Sequence, residues 1–215
     1  MKKMAIVRVM LLTALLIAVG YRESIAQVSR HRDEGTAKRS YGDAIPRSED
    51  GSSPGWQGMK ITDAAQSGGL AEARGAFLRG DSVNSRTARG APAVLLAAQS
   101  GNIAVLRFLL EKGANPDLFE KSSGKTALIA AAQAGEGSMV HMLLEHKADP
   151  NHQDRQGETA LIKAARVGAV DAVQSLLGSG VDLNATDYAG HTALWHARDA
   201  RRSRIAQIIE AAGGK

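Results

Sequence analysis

A repeat period of about 33 residues constrains this chain more than any other feature of its sequence. Gly124, Gly157 and Gly190 each open the pattern Gly-x-Thr-Ala-Leu, and the two intervals between them are equal. Gly90 opens a looser copy, one period and one further residue before Gly124. A fixed period of this length is typical of stacked repeats, in which each unit buries its apolar surface only against its neighbours.

Two further patterns recur in the same phase. A glycine follows an alanine-rich segment at Gly68, Gly101, Gly135 and Gly168. A leucine pair recurs at Leu109-Leu110, Leu143-Leu144 and Leu176-Leu177. These patterns therefore predict that each unit consists of a helix, a tight turn, a second helix and an extended loop. The threonine of the motif is placed to cap the first helix, and the glycine after that helix suits a left-handed backbone.

The second helix of each unit carries one apolar stripe, which predicts the buried face. The stripe residues are Val105, Leu106, Leu109, Leu110, Met139, Val140, Leu143, Leu144, Ala172, Val173, Leu176 and Leu177. Glu72 and Glu210 interrupt the equivalent stripes, which marks the first and last units as polar caps. This predicts five units, at about 59–85, 86–118, 119–152, 153–185 and 186–215.

The repeat frame resembles the ankyrin repeat from about residue 59 to 215. The resemblance rests on Gly-x-Thr-Ala-Leu, Ala-Ala-x-x-Gly, the leucine pair and Gly-Ala-x-x-(Asp/Asn) in one frame. It implies an all-α ankyrin-type solenoid of helix-turn-helix units with extended loop fingers. The family's Thr-Pro-Leu-His becomes Thr-Ala-Leu followed by Ile or Trp. The histidine that ties neighbouring loops is thus replaced by an apolar ladder of Leu95, Ile129, Ile162 and Trp195. Burying each of these should contribute roughly 1.5–3 kcal/mol.

The first 26 residues have the pattern of a secretory signal peptide. Lys2, Lys3 and Arg8 precede or flank an uncharged apolar run at 9–19, and Ser24-Ile25-Ala26 offers small residues for cleavage before Gln27. A buried helix or a short membrane anchor is the alternative. The short, lysine-led segment is typical of bacteria, so we expect a periplasmic or secreted protein with no stable membrane anchor after cleavage.

Residues 27–58 mix both charge signs with Ser, Gly and Pro and have almost no apolar period, which predicts a disordered polar linker. The leader carries four basic residues and one acidic residue, so 23 basic and 21 acidic residues remain without it and the net charge falls from +5 to +2. The basic composition is therefore poor evidence for nucleic-acid binding. We expect a monomer that binds no nucleic acid.

The sequence offers no catalytic motif. The chain has no Cys, which excludes disulfides, Cys-ligated zinc and a thiol nucleophile. No P-loop, GxGxxG, GxSxG or HExxH occurs. We therefore expect no catalytic residue, no cofactor and no metal. The competing hypothesis is an enzyme or metal-handling protein that uses a His/Asp cluster such as His146, Asp149 and His152. A bacterial ankyrin effector that acts on a host is a third.

Partner binding is predicted at the loop tips and on the concave face that the family presents, and the expected partner is another envelope protein. The tip candidates are Arg86, Arg89, Phe119, Lys121, Gln153, Arg155 and Tyr188. The groove candidates are Gln99, Gln133, Arg166 and Asp199. Phe119 has two alternatives, an exposed anchor or a side chain folded back over its own turn. A basic cluster at Arg198, Arg201, Arg202 and Arg204 is either a solvated cap or a further contact surface.

Export predicts a processed N-terminus. Intact-mass measurement of the protein from the periplasmic fraction should give a chain that begins at Gln27, because the segment before it combines a basic start, an apolar run and Ser-Ile-Ala. Retention of Met1 in that fraction would contradict the prediction.

Overall fold

The computed structural model describes residues 59–215, so the leader and linker predicted at 1–26 and 27–58 lie outside the described residues. The described part is helical, which confirms the expected all-α repeat. Its helices are α1 Ile61–Gln66, α2 Leu70–Leu78, α3 Ala93–Gln99, α4 Ile103–Glu111, α5 Ala127–Ala134, α6 Gly137–Glu145, α7 Ala160–Val167, α8 Val170–Leu177, α9 Ala193–Asp199 and α10 Ser203–Ala211.

The helices form five pairs that stack in chain order. The first helices α1, α3, α5, α7 and α9 pack in one row, each against the next, and the second helices form another row. Between pairs the chain extends into loops, here called fingers. The finger before α3 closes with an antiparallel bridge between Arg86 and Pro92, and the finger before α9 closes with one between Thr186 and Thr192.

Threonine caps start three of the first helices, as the motif predicts. The N–H of Ile129 donates to Oγ1 of Thr126 at 3.3 Å, and the N–H of Ile162 donates to Oγ1 of Thr159 at 3.4 Å. Thr192 caps α9 in the same way. Each bond satisfies an N–H that the first turn of a helix leaves unpaired, which fixes where the helix begins.

The core lies between successive pairs. The stripe residues of the second helices are buried, except that Leu144 and Leu177 are only partly covered. The first helices contribute buried alanines, namely Ala64, Ala65, Ala97, Ala98, Ala131, Ala132, Ala164, Ala165 and Ala197. Small side chains at these positions let neighbouring first helices pack closely. No helix within residues 59–215 is both long and apolar enough to cross a membrane.

The expectation that Trp195 is buried is wrong. Leu95, Ile129 and Ile162 are almost fully buried, but Trp195 is 43% exposed. Within the described residues no further helix pair packs over α9, so nothing covers the indole on that side. Its ring instead stacks on His191, with ring centroids 3.6 Å apart and planes 8° from parallel.

Neighbouring units are joined by a ladder of hydrogen bonds that the repeat motif alone does not predict. In each rung an Asn or Asp side chain accepts from a backbone N–H in the next unit, at 2.7–2.8 Å. The pairs of acceptor and donor are Asn84 with Asn115, Asp117 with Asp149, Asn151 with Asp182, and Asn184 with Lys215. These rungs supply polar links between neighbouring units.

Lys147 occupies a left-handed position that glycine fills in the neighbouring units. Its φ is 66°, whereas Gly113 and Gly180 have φ of 82° and 78°. A side chain with a Cβ costs roughly 1 kcal/mol in this region.

Lys147→Gly should therefore raise the free energy of unfolding by up to about 1 kcal/mol, measured by urea denaturation. Gly180→Ala is the matched control and should lower it by a similar amount, because its φ is equally left-handed and an added Cβ meets no atom within 4 Å. A lower denaturation midpoint for Lys147→Gly would contradict the assignment of strain to this residue.

Candidate functional site

The fingers are tied together by hydrogen bonds that run from one to the next. The N–H of Arg155 donates to the carbonyl of Ser123 at 3.0 Å, and the N–H of Tyr188 donates to that of Gln156 at 3.1 Å. Side chains add to these links, because Arg86 donates to the carbonyl of Phe119 at 2.7 Å and Gln153 donates to that of Thr186 at 3.1 Å. Two predicted partner-binding residues, Arg86 and Gln153, thus also hold the fingers in register.

A groove crosses three fingers and is lined by most of the predicted tip residues. This finger groove has a volume of about 530 Å³ and is lined by Phe119, Lys121, Gly124, His152, Gln153, Asp154, Arg155 and Tyr188. Five of its residues belong to the predicted set, and they come from three successive units of the repeat. The repeat therefore brings distant tip positions together on one surface.

The two aromatic residues of the finger groove differ in how firmly they are held. Phe119 is 42% exposed, and its ring centroid lies 5.5 Å from that of His152 in the next finger. It therefore rests partly on a neighbouring unit and keeps an exposed face. Tyr188 is 77% exposed and lies across Gly157, where an added Cβ would come within 2.7 Å of its ring. Both rings offer apolar area to a partner.

A second groove lies where the fingers meet the first helices. This polar groove has a volume of about 520 Å³ and is lined by Lys125, Gln133, Gln156, Glu158, Lys163, Arg166, Asp187, Ala189 and His196. Gln133 and Arg166 were predicted to line a groove. Lys125 donates to Oε1 of Gln133 at 2.8 Å, which fixes one wall.

An ionic network centred on Lys163 forms the floor of the polar groove. Lys163 lies in α7 and is 2% exposed. Its Nζ lies 3.0 Å from Oδ2 of Asp154 and also contacts the carboxylate of Glu158. Arg166 pairs with the other oxygen of Glu158, and Oε1 of Gln156 accepts from Nζ at 3.2 Å. Two cations and two carboxylates thus neutralise each other beneath the groove.

Burial and hydrogen bonding shift the pKa values of Lys163 and of Asp187, which lines the same groove. Desolvation lowers the pKa of Lys163 below its ordinary value, and the hydrogen bond and negative charge of Asp154 offset only part of that effect. Burial acts to raise the pKa of Asp187, but hydrogen bonds from the N–H of His191 and from the ring of His196 outweigh it and hold that pKa below its usual range. Asp187 is therefore ionised at neutral pH.

The remaining predicted residues lie outside both grooves. Arg86, Arg89, Gln99 and Asp199 are exposed and line neither the finger groove nor the polar groove. The basic cluster of the last unit is also exposed, and within it Arg198 pairs with Glu210 while Arg201 has a left-handed φ of 55°.

The polar groove includes residues that the sequence did not predict, among them Glu158, Lys163, Asp187 and His196. A signal for them existed. Lys163 interrupts the otherwise apolar segment Ala-Leu-Ile-Lys-Ala-Ala, and His196 occupies the equivalent position one repeat later. A charged side chain inside an apolar helix requires a buried partner, which places it near other polar groups.

The histidine cluster considered from the sequence is not formed. His146 bonds the carbonyl of Met142 at 2.9 Å and His152 bonds that of Gly124 at 2.9 Å, so their rings are engaged by different parts of the backbone. Asp149 uses its carboxylate to accept from the N–H of Asn151. Within residues 59–215, the side chains of Asp187, His191 and His196 do lie close together, and their potential metal-ligating atoms are all within 4.8 Å of one another.

Comparison with known proteins agrees with the architecture. A family model described as Ankyrin repeats (3 copies) matches residues 61–154, and one described as Ankyrin repeats (many copies) matches residues 143–197. Together the two matches span the first four helix pairs and the start of the fifth. No curated protein matches the chain.

Removing the charge at the centre of the ionic network should destabilise the fold. Lys163→Met should lower the free energy of unfolding by about 3–5 kcal/mol. The substitution removes the cation that pairs with the buried carboxylate of Asp154 and with Oε2 of Glu158. Urea denaturation measures the effect. Lys121→Met is the matched control, since Lys121 is exposed at a finger tip, and it should change stability by less than about 0.5 kcal/mol. Equal effects of the two substitutions would contradict the role of the network.

Proposed function

Because the chain belongs to the ankyrin-repeat family, we propose that it is a non-catalytic adaptor that binds another protein along its fingers and first helices. Members of this family are generally protein–protein interaction modules. The observation that carries the proposal is the finger groove, where two exposed aromatic rings and two exposed cations from three units share one surface. Tyr, Trp and Arg are the residues most enriched among energetically dominant interface contacts, and Phe is also enriched in the buried centre of interfaces.

The chemistry of the surface indicates what kind of partner segment it suits. Lys121 and Arg155 give the finger groove two positive side chains, and the described lining includes only one carboxylate, that of Asp154, whose side chain is buried. Phe119 and Tyr188 add apolar area at the edges. An extended segment that combines acidic and apolar side chains fits this arrangement, because the charges guide approach and the rings supply buried area.

The rigidity of the fingers supports the same function. The bonds made by Arg86, Gln153 and the backbone of Arg155 and Tyr188 hold each finger against the next. A surface that is already ordered loses little conformational entropy when a partner binds. The polar groove alongside extends the available surface through Gln133 and Arg166.

The expected site of action is the periplasm. This part of the proposal rests on the signal-peptide pattern of residues 1–26 and on the absence of Cys from the sequence, which is compatible with an oxidising compartment. The partner would then be another protein of the bacterial envelope.

The aromatic anchors provide the test. Phe119→Ala combined with Tyr188→Ala should abolish capture of the partner from an envelope fraction, because each anchor contributes on the order of 2 kcal/mol to binding. The melting temperature should move little, since both side chains are substantially exposed and lose few core contacts. Intact capture by the double variant, with or without a change in melting temperature, would remove these residues from the proposed site.

Site-specific crosslinking identifies the contact independently of affinity. A photoreactive phenylalanine analogue at Tyr188 should give a defined crosslinked product with the partner. The same analogue at Glu111, which is exposed on the second helix α4, serves as the control and should give none. Equal crosslinking at both positions would indicate non-specific contact.

A further inference from the structure

Three side chains that can ligate a metal meet where the last finger joins α9. Asp187 and His191 lie on either side of the turn of that finger, and His196 lies on α9. Oδ2 of Asp187 lies 2.8 Å from Nε2 of His196 and 3.9 Å from Nδ1 of His191. Asp187 and His196 are nearly buried, while His191 is 35% exposed and leaves the cluster open on one side.

Asp187 and His191 are held in place by further contacts. Oδ1 of Asp187 accepts from the N–H groups of Ala189 and His191, both at 2.9 Å, which leaves Oδ2 turned toward the two imidazoles. The His191 ring is stacked on Trp195, with centroids 3.6 Å apart. Pre-positioned ligands lose little freedom when they bind an ion, as the supporting contacts of metal sites in general show.

The repeat frame shows that this point in a unit already accommodates a cation. Asp154, Glu158 and Lys163 occupy the positions one repeat before Asp187, His191 and His196. In that unit the ammonium of Lys163 lies between the two carboxylates. In the last unit the lysine and the glutamate are both replaced by histidine, and only the aspartate is retained. The three equivalent positions thus carry two carboxylates and an ammonium in one unit, and one carboxylate and two imidazoles in the next.

We infer that Asp187, His191 and His196 bind a divalent transition-metal ion of the zinc type. Two imidazole nitrogens and one carboxylate oxygen are ligands that such ions prefer, whereas Mg²⁺ and Ca²⁺ prefer oxygen alone. Tetrahedral zinc places its ligand atoms about 3.3 Å apart, given metal–ligand distances of about 2.0–2.1 Å. Oδ2 of Asp187 lies 2.8 Å and 3.9 Å from the two imidazole nitrogens, and all three ligand atoms lie within 4.8 Å of one another, so the side chains need only rotate toward a common point to reach that value.

Three protein ligands leave a further coordination position for water or for a group from a partner. Because Asp187 and His196 also line the polar groove, an ion held here would add positive charge at the edge of that groove. The inference stands independently of the proposed partner binding, since it rests on the three side chains themselves.

Tryptophan fluorescence gives a direct readout of the site. The chain has two tryptophans, so Trp56→Phe in the full chain leaves Trp195, stacked on the ligand His191, as the sole reporter. Titration of this protein with Zn²⁺ after chelator treatment should change the Trp195 emission and saturate at one ion per chain. Mg²⁺ at the same concentrations should leave the emission unchanged. Zn²⁺ should also raise the melting temperature, because it binds only the folded chain at this site.

Matched variants decide whether these residues are the ligands. Asp187→Asn retains an oxygen for the N–H groups of the turn and removes the negative charge, and His191→Asn removes one imidazole. Either should weaken Zn²⁺ binding at least tenfold, a loss typical for disturbed metal sites. His141→Asn is the control, because His141 is exposed on α6, with its Nε2 3.4 Å from Oε1 of Glu145 and outside the cluster, and this variant should bind Zn²⁺ as the parent does.

Two results would overturn the inference. One is the absence of saturable Zn²⁺ binding by the parent at concentrations up to about 100 μM, which would show that the three side chains form a hydrogen-bonded cluster that binds no metal. The other is unchanged affinity in His191→Asn. If Asp187→Asn alters the circular dichroism spectrum of the fold, His191→Asn decides the question, since His191 is partly exposed on the finger.

Discussion

Burial of apolar side chains between successive helix pairs is the interaction on which the rest of the structure depends. Each pair is too short to be stable alone, because helices of six to nine residues are marginal in water. Stacking covers the stripe of one second helix with the next unit and brings the alanine-rich first helices together. The fingers, the grooves and the ionic network all take their positions from this packing, since none of them has a core of its own.

The fold was predictable in detail because its determinants are local and repeated. The threonine caps, the glycines after the first helices and the leucine pairs each specify one local feature, and their common period specifies the stack. Trp195 was predicted wrongly because burial depends on a neighbour as well as on the residue's place in its own unit. The polar ladder was present in the motif Gly-Ala-x-x-(Asp/Asn), whose last residue supplies the acceptor at Asp117. Its bonding role could not be inferred, since it joins side chain to backbone across two units.

The candidate surface was predictable only in part, and for a physical reason. Tip positions such as Phe119 and Tyr188 follow from the repeat frame, so their shared groove follows from the frame as well. The network of Lys163 depends on side-chain contacts between a finger and a helix within one unit, which periodicity does not describe. The sequence signal was the polar residue at one position of the first helix, Lys163 in one unit and His196 in the next. That signal identifies a site only when the structure shows which side chains face these two residues.

The polar ladder has a consequence for how the chain reaches its native state. Every rung joins residues that are 31 or 32 positions apart in the sequence. Forming a rung therefore closes a loop of about one repeat and no longer. Low contact order of this sort favours rapid folding, because the entropy lost in forming each successive contact stays nearly constant along the stack. Order can begin at any interior pair and spread outward one rung at a time. Within residues 59–215 the first and last units pack against a helix pair on one side only, so they are then the last to become structured and the first to fray.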